Sequence, residues 1–372
     1  MTAGALVTPA YGEASLAEVV PSAAAMLTST PGGNVLQLPE APRLVLLLVD
    51  GLGERQLLRH AADAPYLSSL ARRTLTSGVP STTATSLTSL GVGVPPGTHG
   101  VVGYTSRIPG TNKLLNALRW DGAVDAAQWQ PQPTALSLAA RAGIATTVVN
   151  RKSFEGTGLT VASQRGAEFV PADSAGERLA EAARAAQAAP SLVYVYDSDL
   201  DATGHRDGCE SEAWRHQLAT VDAFAHRLRE AIPADALLVV TADHGMVDVA
   251  AEDRLDIDVE PELQEGLALF GGEARFRHLY CTSGAVGEVV ARWRARLGDS
   301  ALVLTREEAV GAGWFGAVRR DVEPRIGDVV VACTGPLAVV SSERFPREAS
   351  LVGLHGSLTA EEMLVPMLID LP

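Results

Sequence analysis

The chain has 372 residues, 47% of them hydrophobic, and a formal net charge of −14. This is ample for a large core, and the length suggests about two domains or one large α/β domain carrying an insertion. So acidic a chain repels nucleic-acid backbones and anionic lipid, which argues against nucleic-acid binding as a main role and against membrane binding; a phosphate substrate would need a bound cation to reverse the local field.

The elements follow in chain order. A helix is expected over roughly Ala14 to Thr28, then a Pro/Gly connector at Pro31, Gly32 and Gly33. Arg43 to Val49 is a continuous apolar run that ends at Asp50 and reads as a fully buried strand of a parallel sheet. Helical patterns continue to about Arg72, another helix opens at Thr83–Leu90, and Gly91–Gly103 reads as loop. Strands at Ala145–Val149, Leu192–Tyr196 and Ala236–Thr241 alternate with helices at Leu136–Ala142, Glu177–Ala188 and Glu212–Glu230. Such alternation predicts a parallel α/β sheet with helices on both faces. Beyond Ala250 the texture changes. Strands at Phe276–Cys281, Ala301–Leu304, Asp328–Cys333 and Leu337–Val340, with a helix near Val286–Leu297, predict a small α+β insertion over residues 260–345. The core would then comprise residues 1–259 and 346–372, with Met363–Ile369 as its last strand.

In open α/β sheets, ligands bind beyond the carboxyl ends of the strands. Asp50 lies at one such end, Asp201 and His205 follow a second, and Asp243 and His244 follow a third; His355 lies in the C-terminal part. Any one of these has an ordinary reading as a helix cap, a turn or a surface pair. Together, mixed carboxylate and imidazole donors at several ends of one sheet suit Zn or Mn. Six donors are too many for one tetrahedral ion and divide into two sets of three, a two-metal arrangement. His60, His216 and His226 lie in charged helical contexts and read as solvated, and His99 reads as a loop-stabilising hydrogen-bonder. His278, in the insertion, reads as a packing residue, with substrate contact as the lesser alternative. Trp120 and Trp129 read as packing residues, with stacking on a base, alongside Tyr104, as the lesser alternative. The three cysteines, Cys209, Cys281 and Cys333, form no CxxC and suit free thiols in a reducing compartment, hence a cytoplasmic protein. Met1 to Thr30 holds neither Lys nor Arg, so no signal peptide is expected, and no run is long enough for a transmembrane span.

Val49-Asp50-Gly51, Pro80-Ser-Thr-Thr83-Ala-Thr-Ser86, Gly93-Val-Pro-Pro-Gly-Thr-His99-Gly100, Asp201-Ala-Thr-Gly-His205, Asp243-His244-Gly245-Met246 and His355-Gly356 occur in this order. Together they resemble the alkaline phosphatase superfamily, and within it the type I phosphodiesterase/nucleotide pyrophosphatase family. The resemblance implies a three-layer α/β/α sandwich with a mostly parallel sheet. It further implies one metal held by Asp50, Asp243 and His244, a second by Asp201, His205 and His355, and Thr83, rather than Thr82, as the covalent nucleophile. Two divalent ions are expected, Zn foremost, with Mn or Fe as alternatives. Two positions depart from the diesterase pattern: Tyr104 and Ser86 stand where Asn is usual, and both are expected to line the substrate. The reaction implied is hydrolysis of a small phosphodiester or nucleotide pyrophosphate through a phospho-threonine. Two other readings are open: a phosphomonoesterase or phosphonate hydrolase using cations among Arg107, Lys113, Arg119, Arg151 and Lys152, and a metal-binding module without catalysis. Oligomeric state is not legible.

Overall fold

The computed structural model describes residues 6–120 and 122–372, so residues 1–5 of the expected core unit lie outside the described residues. Eight strands precede Asp243: β1 (Arg43–Val49), β2 (Ala71–Thr76), β3 (Thr105–Arg107), β4 (Leu114–Asn116), β5 (Ala145–Asn150), β6 (Glu168–Pro171), β7 (Ser191–Asp197) and β8 (Ala236–Thr241). Nine follow it: β9 (Val247–Asp248), β10 (Arg254–Asp256), β11 (Leu267–Glu273), β12 (Phe276–Cys281), β13 (Ala301–Thr305), β14 (Val329–Cys333), β15 (Ala338–Val340), β16 (Gly353–Leu354) and β17 (Leu364–Asp370).

The main sheet has the order β2-β17-β8-β1-β7-β5-β6. Strands β1, β5, β6, β7 and β8 are parallel, whereas β17 runs antiparallel between β2 and β8. The expected mostly parallel sheet is therefore present, with one reversed strand inside it. Strand β1 is central, and Leu44 to Val49 are all buried, which is why its sequence is apolar throughout rather than alternating.

One expectation is corrected. Helical patterns were expected to about Arg72, but α-helices occupy only Glu54–Arg59 and Pro65–Ser69, with a 3-10 turn at Ala61–Asp63 between them, and Ala71–Thr76 is strand β2. Within the expected insertion, strand β15 pairs in parallel with β10, and Leu337 and Val339 pack in the apolar cluster of the second sheet. The second sheet is antiparallel, in the order β11-β12-β14-β13, with its own apolar cluster around Trp293, Phe270 and Val331. Another cluster joins Phe276, Phe315 and Val330 of this part to Val79, Val102, Leu358 and Met363. That shared packing fixes the second sheet against the loops that carry the candidate site.

Candidate active site

Thr83 opens the helix Thr83–Val92, preceded by Thr82 in an extended conformation. At this position the first-turn amides and the positive end of the helix dipole point outward, as an anion site requires. Asp50 follows β1 directly and does not cap a helix: the next one starts at Glu54 with Gly53 before it. Asp201 and His205 lie in the helix Asp199–Asp207, where their four-residue spacing puts both on one face, with Oδ1 and Nε2 3.4 Å apart. Asp243 and His244 follow β8, and His355 follows β16. Gly51, at φ +75°, lets the two segments approach closely, since a Cβ there would lie 3.1 Å from the Asp201 Cα.

The structure brings all seven residues together. His244 Nε2 is 3.4 Å from Asp50 Oδ1, 3.4 Å from Asp243 Oδ2 and 3.2 Å from the Thr83 hydroxyl. The His244 and His355 rings stack with centroids 3.6 Å apart, and those of His205 and His355 lie 5.1 Å apart. Donor atoms of Asp50, Asp243 and His244 all fall within 4.8 Å of one another, as do those of Asp201, His244 and His355. The second triad differs from the expected one, because the His244–His355 stack brings His244, in place of His205, into the tight group.

Two observations test whether the residues suit metal. First, each histidine sets its Nδ1 against a main-chain carbonyl: His205 on Gly353 at 2.7 Å, His244 on Gly245 at 3.0 Å and His355 on Ser81 at 3.0 Å. A carbonyl only accepts, so Nδ1 carries a proton, and in the neutral imidazole this leaves Nε2 to offer its lone pair to a cation. Second, one oxygen each of Asp50 (Oδ1), Asp201 (Oδ1) and Asp243 (Oδ2) is buried without a hydrogen-bond partner. Buried polar atoms are seldom left so, and a cation would satisfy all three. Burial, followed by the charges of Asp243 and Asp201, raises the Asp50 carboxyl well above the usual carboxylate range. Asp243 is raised by burial and by Asp201. His355 is held well below its usual value by burial and by its two histidine neighbours. A divalent ion would reverse the carboxylate repulsion.

Tyr196 was not among the expected site residues. Its hydroxyl donates to Asp50 Oδ2, and burial with Asp50 alongside keeps it protonated. The sequence held a signal: a phenol in a buried aliphatic strand needs a partner. Tyr196→Phe should weaken metal binding at the Asp50 triad about 10- to 100-fold. A chelator-competition titration reads this directly; unchanged affinity would reduce the hydroxyl to a packing group.

The expected substrate positions separate. Tyr104 is half-buried, and its amide donates to Glu273. Ser86 is fully buried, and its hydroxyl bonds Ser77 at 2.9 Å, which turns it into the protein rather than toward a ligand. Ser77 in turn donates to the Asp243 carbonyl. His278 holds a loop: Nε2 donates to the Val102 carbonyl at 2.7 Å and Nδ1 accepts from the Gly327 amide. His99 acts in the same way on Ser89 and the Val101 amide. Of the three histidines read as solvated, His216 and His226 are exposed, while His60 is half-buried beside Glu210 and Trp214. Trp129, together with partly buried Trp120, packs in the cluster that holds Ala84.

Residues 44–358 match the type I phosphodiesterase/nucleotide pyrophosphatase family. A stretch of 77 residues is 39% identical to human ectonucleotide pyrophosphatase/phosphodiesterase family member 7, and covers 19% of this chain and 17% of that protein. The match thus spans under a fifth of that relative's length. Among solved structures, murine ectonucleotide pyrophosphatase/phosphodiesterase 5 is similar, with TM-score 0.71, 17% identity and 88% of each chain covered. An inactive threonine-to-alanine form of it, in complex with AMP, gives 0.70, with 17% identity and 88% of each chain covered. Phosphonoacetate hydrolase from Sinorhizobium meliloti 1021, in complex with phosphonoformate, gives 0.67 at 21% identity over 89% of this chain and 91% of that one. The chain shares the fold of these structures. The chain belongs to the type I phosphodiesterase/nucleotide pyrophosphatase family, a family of phosphoric-ester hydrolases.

Proposed function

We propose that the protein hydrolyses small phosphodiesters or nucleotide pyrophosphates with two divalent ions, Thr83 serving as covalent nucleophile. The observation that carries this reading is the ring of three Nε2 lone pairs and three partnerless carboxylate oxygens beside the Thr83 hydroxyl. Asp50, Asp243 and His244 would hold one ion, and Asp201, His205 and His355 the other, with His244 and His355 back to back. When bound, the ions would supply positive charge to the phosphoryl oxygens and make the hydroxyl easier to ionise. Thr83 Oγ would attack phosphorus in line, the ester or anhydride oxygen opposite would leave with its group, and water would then release the remaining phosphate monoester and restore the threonine hydroxyl. Zn suits this donor set foremost, with Mn or Fe as alternatives. Residues 260–345 would form a subdomain that fixes the substrate loop rather than a mobile cap.

Monoester or phosphonate hydrolysis is less well supported, because it needs free cations near the phosphoryl group. Arg151 pairs with Asp199, and Arg107 turns back onto Thr111 and Asn112; Lys113, Arg119 and Lys152 are exposed. No helix among the described residues is long and apolar enough to cross a membrane. The three cysteines are free, which suits the cytoplasmic setting proposed from the sequence.

The test is hydrolysis of bis(p-nitrophenyl) phosphate after chelation and after return of Zn, Mn or Fe. Two equivalents should restore turnover and raise the melting temperature; ions at 100 times their Kd contribute about 2.7 kcal/mol. The diester should be cleaved faster than p-nitrophenyl phosphate. Absence of turnover with every metal, or restoration by one equivalent, would sink the two-metal reading.

A further inference from the structure

Glu273 ends strand β11 of the second sheet, yet its carboxyl lies among the loops of the candidate site. It is 5% exposed. Oε2 accepts from the Tyr104 amide at 3.1 Å, and the Thr82 side chain lies beside the carboxyl and favours its ionised form. On a third side is Gly356, next to His355: a Cβ there would come 2.6 Å from the Glu273 Cγ, and Gly356 takes φ +131°. Oε1 is buried and has no hydrogen-bond partner. Three segments of the site thus meet on one side chain: the residue before the nucleophile, the loop that carries Tyr104, and the residue after a candidate metal ligand.

Neighbouring contacts show that the second sheet grips this loop along its length. Arg325 donates to the Gly100 carbonyl at 2.9 Å, and His278 to that of Val102. Thr105 donates to the Gly272 carbonyl at 2.9 Å, and the Arg107 amide donates to the Tyr280 hydroxyl at 2.8 Å. Of these contacts, only Glu273 also touches Thr82 and packs beside Gly356.

We propose that Glu273 is a positioning residue for the reaction: it fixes Thr82, Tyr104 and Gly356 against one another and so sets how Thr83 faces the ligand cluster. The inference rests on the hydrolase reading above. Burial raises the carboxyl to about 8, and the Thr82 side chain and the Tyr104 amide offset this only in part. Such a group is expensive to keep and would be replaced by an apolar residue if it served packing alone. Misplacement of a reacting group by about 1 Å costs on the order of 100-fold.

The test uses the metal-loaded full chain and a diester substrate. Glu273→Gln keeps an acceptor for the Tyr104 amide in the same shape, and should retain kcat within about threefold. Glu273→Ala and Glu273→Asp, which remove or retract the acceptor, should lower kcat about 10- to 100-fold, change KM less than twofold and still bind two equivalents of metal. Wild-type kcat in the Ala and Asp variants overturns the proposal, as does a loss in the Gln variant equal to that in Ala. If the Ala variant does not fold, the Asp and Gln pair decides, each compared at wild-type melting temperature. A wild-type protein inert toward every phosphate ester would overturn the hydrolase reading instead. Glu273 would then be judged by orthovanadate binding, where equal affinity of wild type and Glu273→Asp overturns it.

Discussion

Replacing Thr83 by Ala should lower kcat for a diester by at least about 10³-fold while both metal equivalents and the melting temperature are kept. Removing a covalent nucleophile forfeits the whole route, and residual rate comes only from binding and charge. The structure makes the prediction sharper than the motif does. The Thr83 hydroxyl lies 3.2 Å from His244 Nε2, whereas the Thr82 side chain lies beside Glu273. Thr82→Val should therefore cost far less than Thr83→Ala. A Thr83→Ala protein with more than a tenth of wild-type activity would exclude the phospho-threonine. A mass increase on Thr83 in rapidly quenched reactions would support it.

The second large effect concerns stability. Arg275 and Glu362 are both fully buried and meet in a bidentate pair, with Nε to Oε1 at 3.0 Å and Nη2 to Oε2 at 2.7 Å. Glu362 also accepts from the Ser357 amide and the Thr359 hydroxyl, and Arg275 donates to the carbonyls of Gly335 and Leu337. Every lone pair and proton of consequence is engaged, which is the condition under which a buried ion pair is tolerated. Glu362→Ala strands the guanidinium, and should cost about 3–5 kcal/mol in a urea or thermal melt. The double variant Arg275→Met with Glu362→Leu should recover most of that loss, because desolvation disappears with the charges. A loss below about 1 kcal/mol in the single variant would mean that water reaches the pair. The pair joins the second sheet to the segment after His355, so the single variant should also weaken metal binding.

Where the sequence was legible, one physical pattern dominated its segment. Strand β1 is buried on both faces, so its apolar run and its terminal Asp50 stood out. The six proposed ligands could be placed because each lies at, or shortly after, a strand on the carboxyl edge of the sheets. Strand β2 escaped notice because Ala71 to Thr74 are exposed and its arginines hide any alternation. Strand β11 was lost at Gly271-Gly272, a pair that reads as a turn. The helix Asp199–Asp207 carries Thr203 and Gly204, weak helix formers, and was not among the expected helices. Ser86 was misplaced because sequence cannot show which side of a buried helix a hydroxyl faces. Glu273 was invisible for a different reason: its meaning depends on contacts with residues roughly 80 to 190 positions away.

The position of β17 also sets a timetable for synthesis. Its ladder separates β2 from β8, and outside that ladder β2 has, among the described residues, a single bridge, from Thr76 to Ser15. While a ribosome is making the chain, β2 and the Thr83 segment after it have no sheet to join until Leu364–Asp370 emerges. One edge of β8 stays open for the same interval. Competence therefore comes late and in one step, when the reversed strand closes the gap and His355 arrives just ahead of it. An open apolar edge held for so long is a site for capture by chaperones or by neighbouring chains.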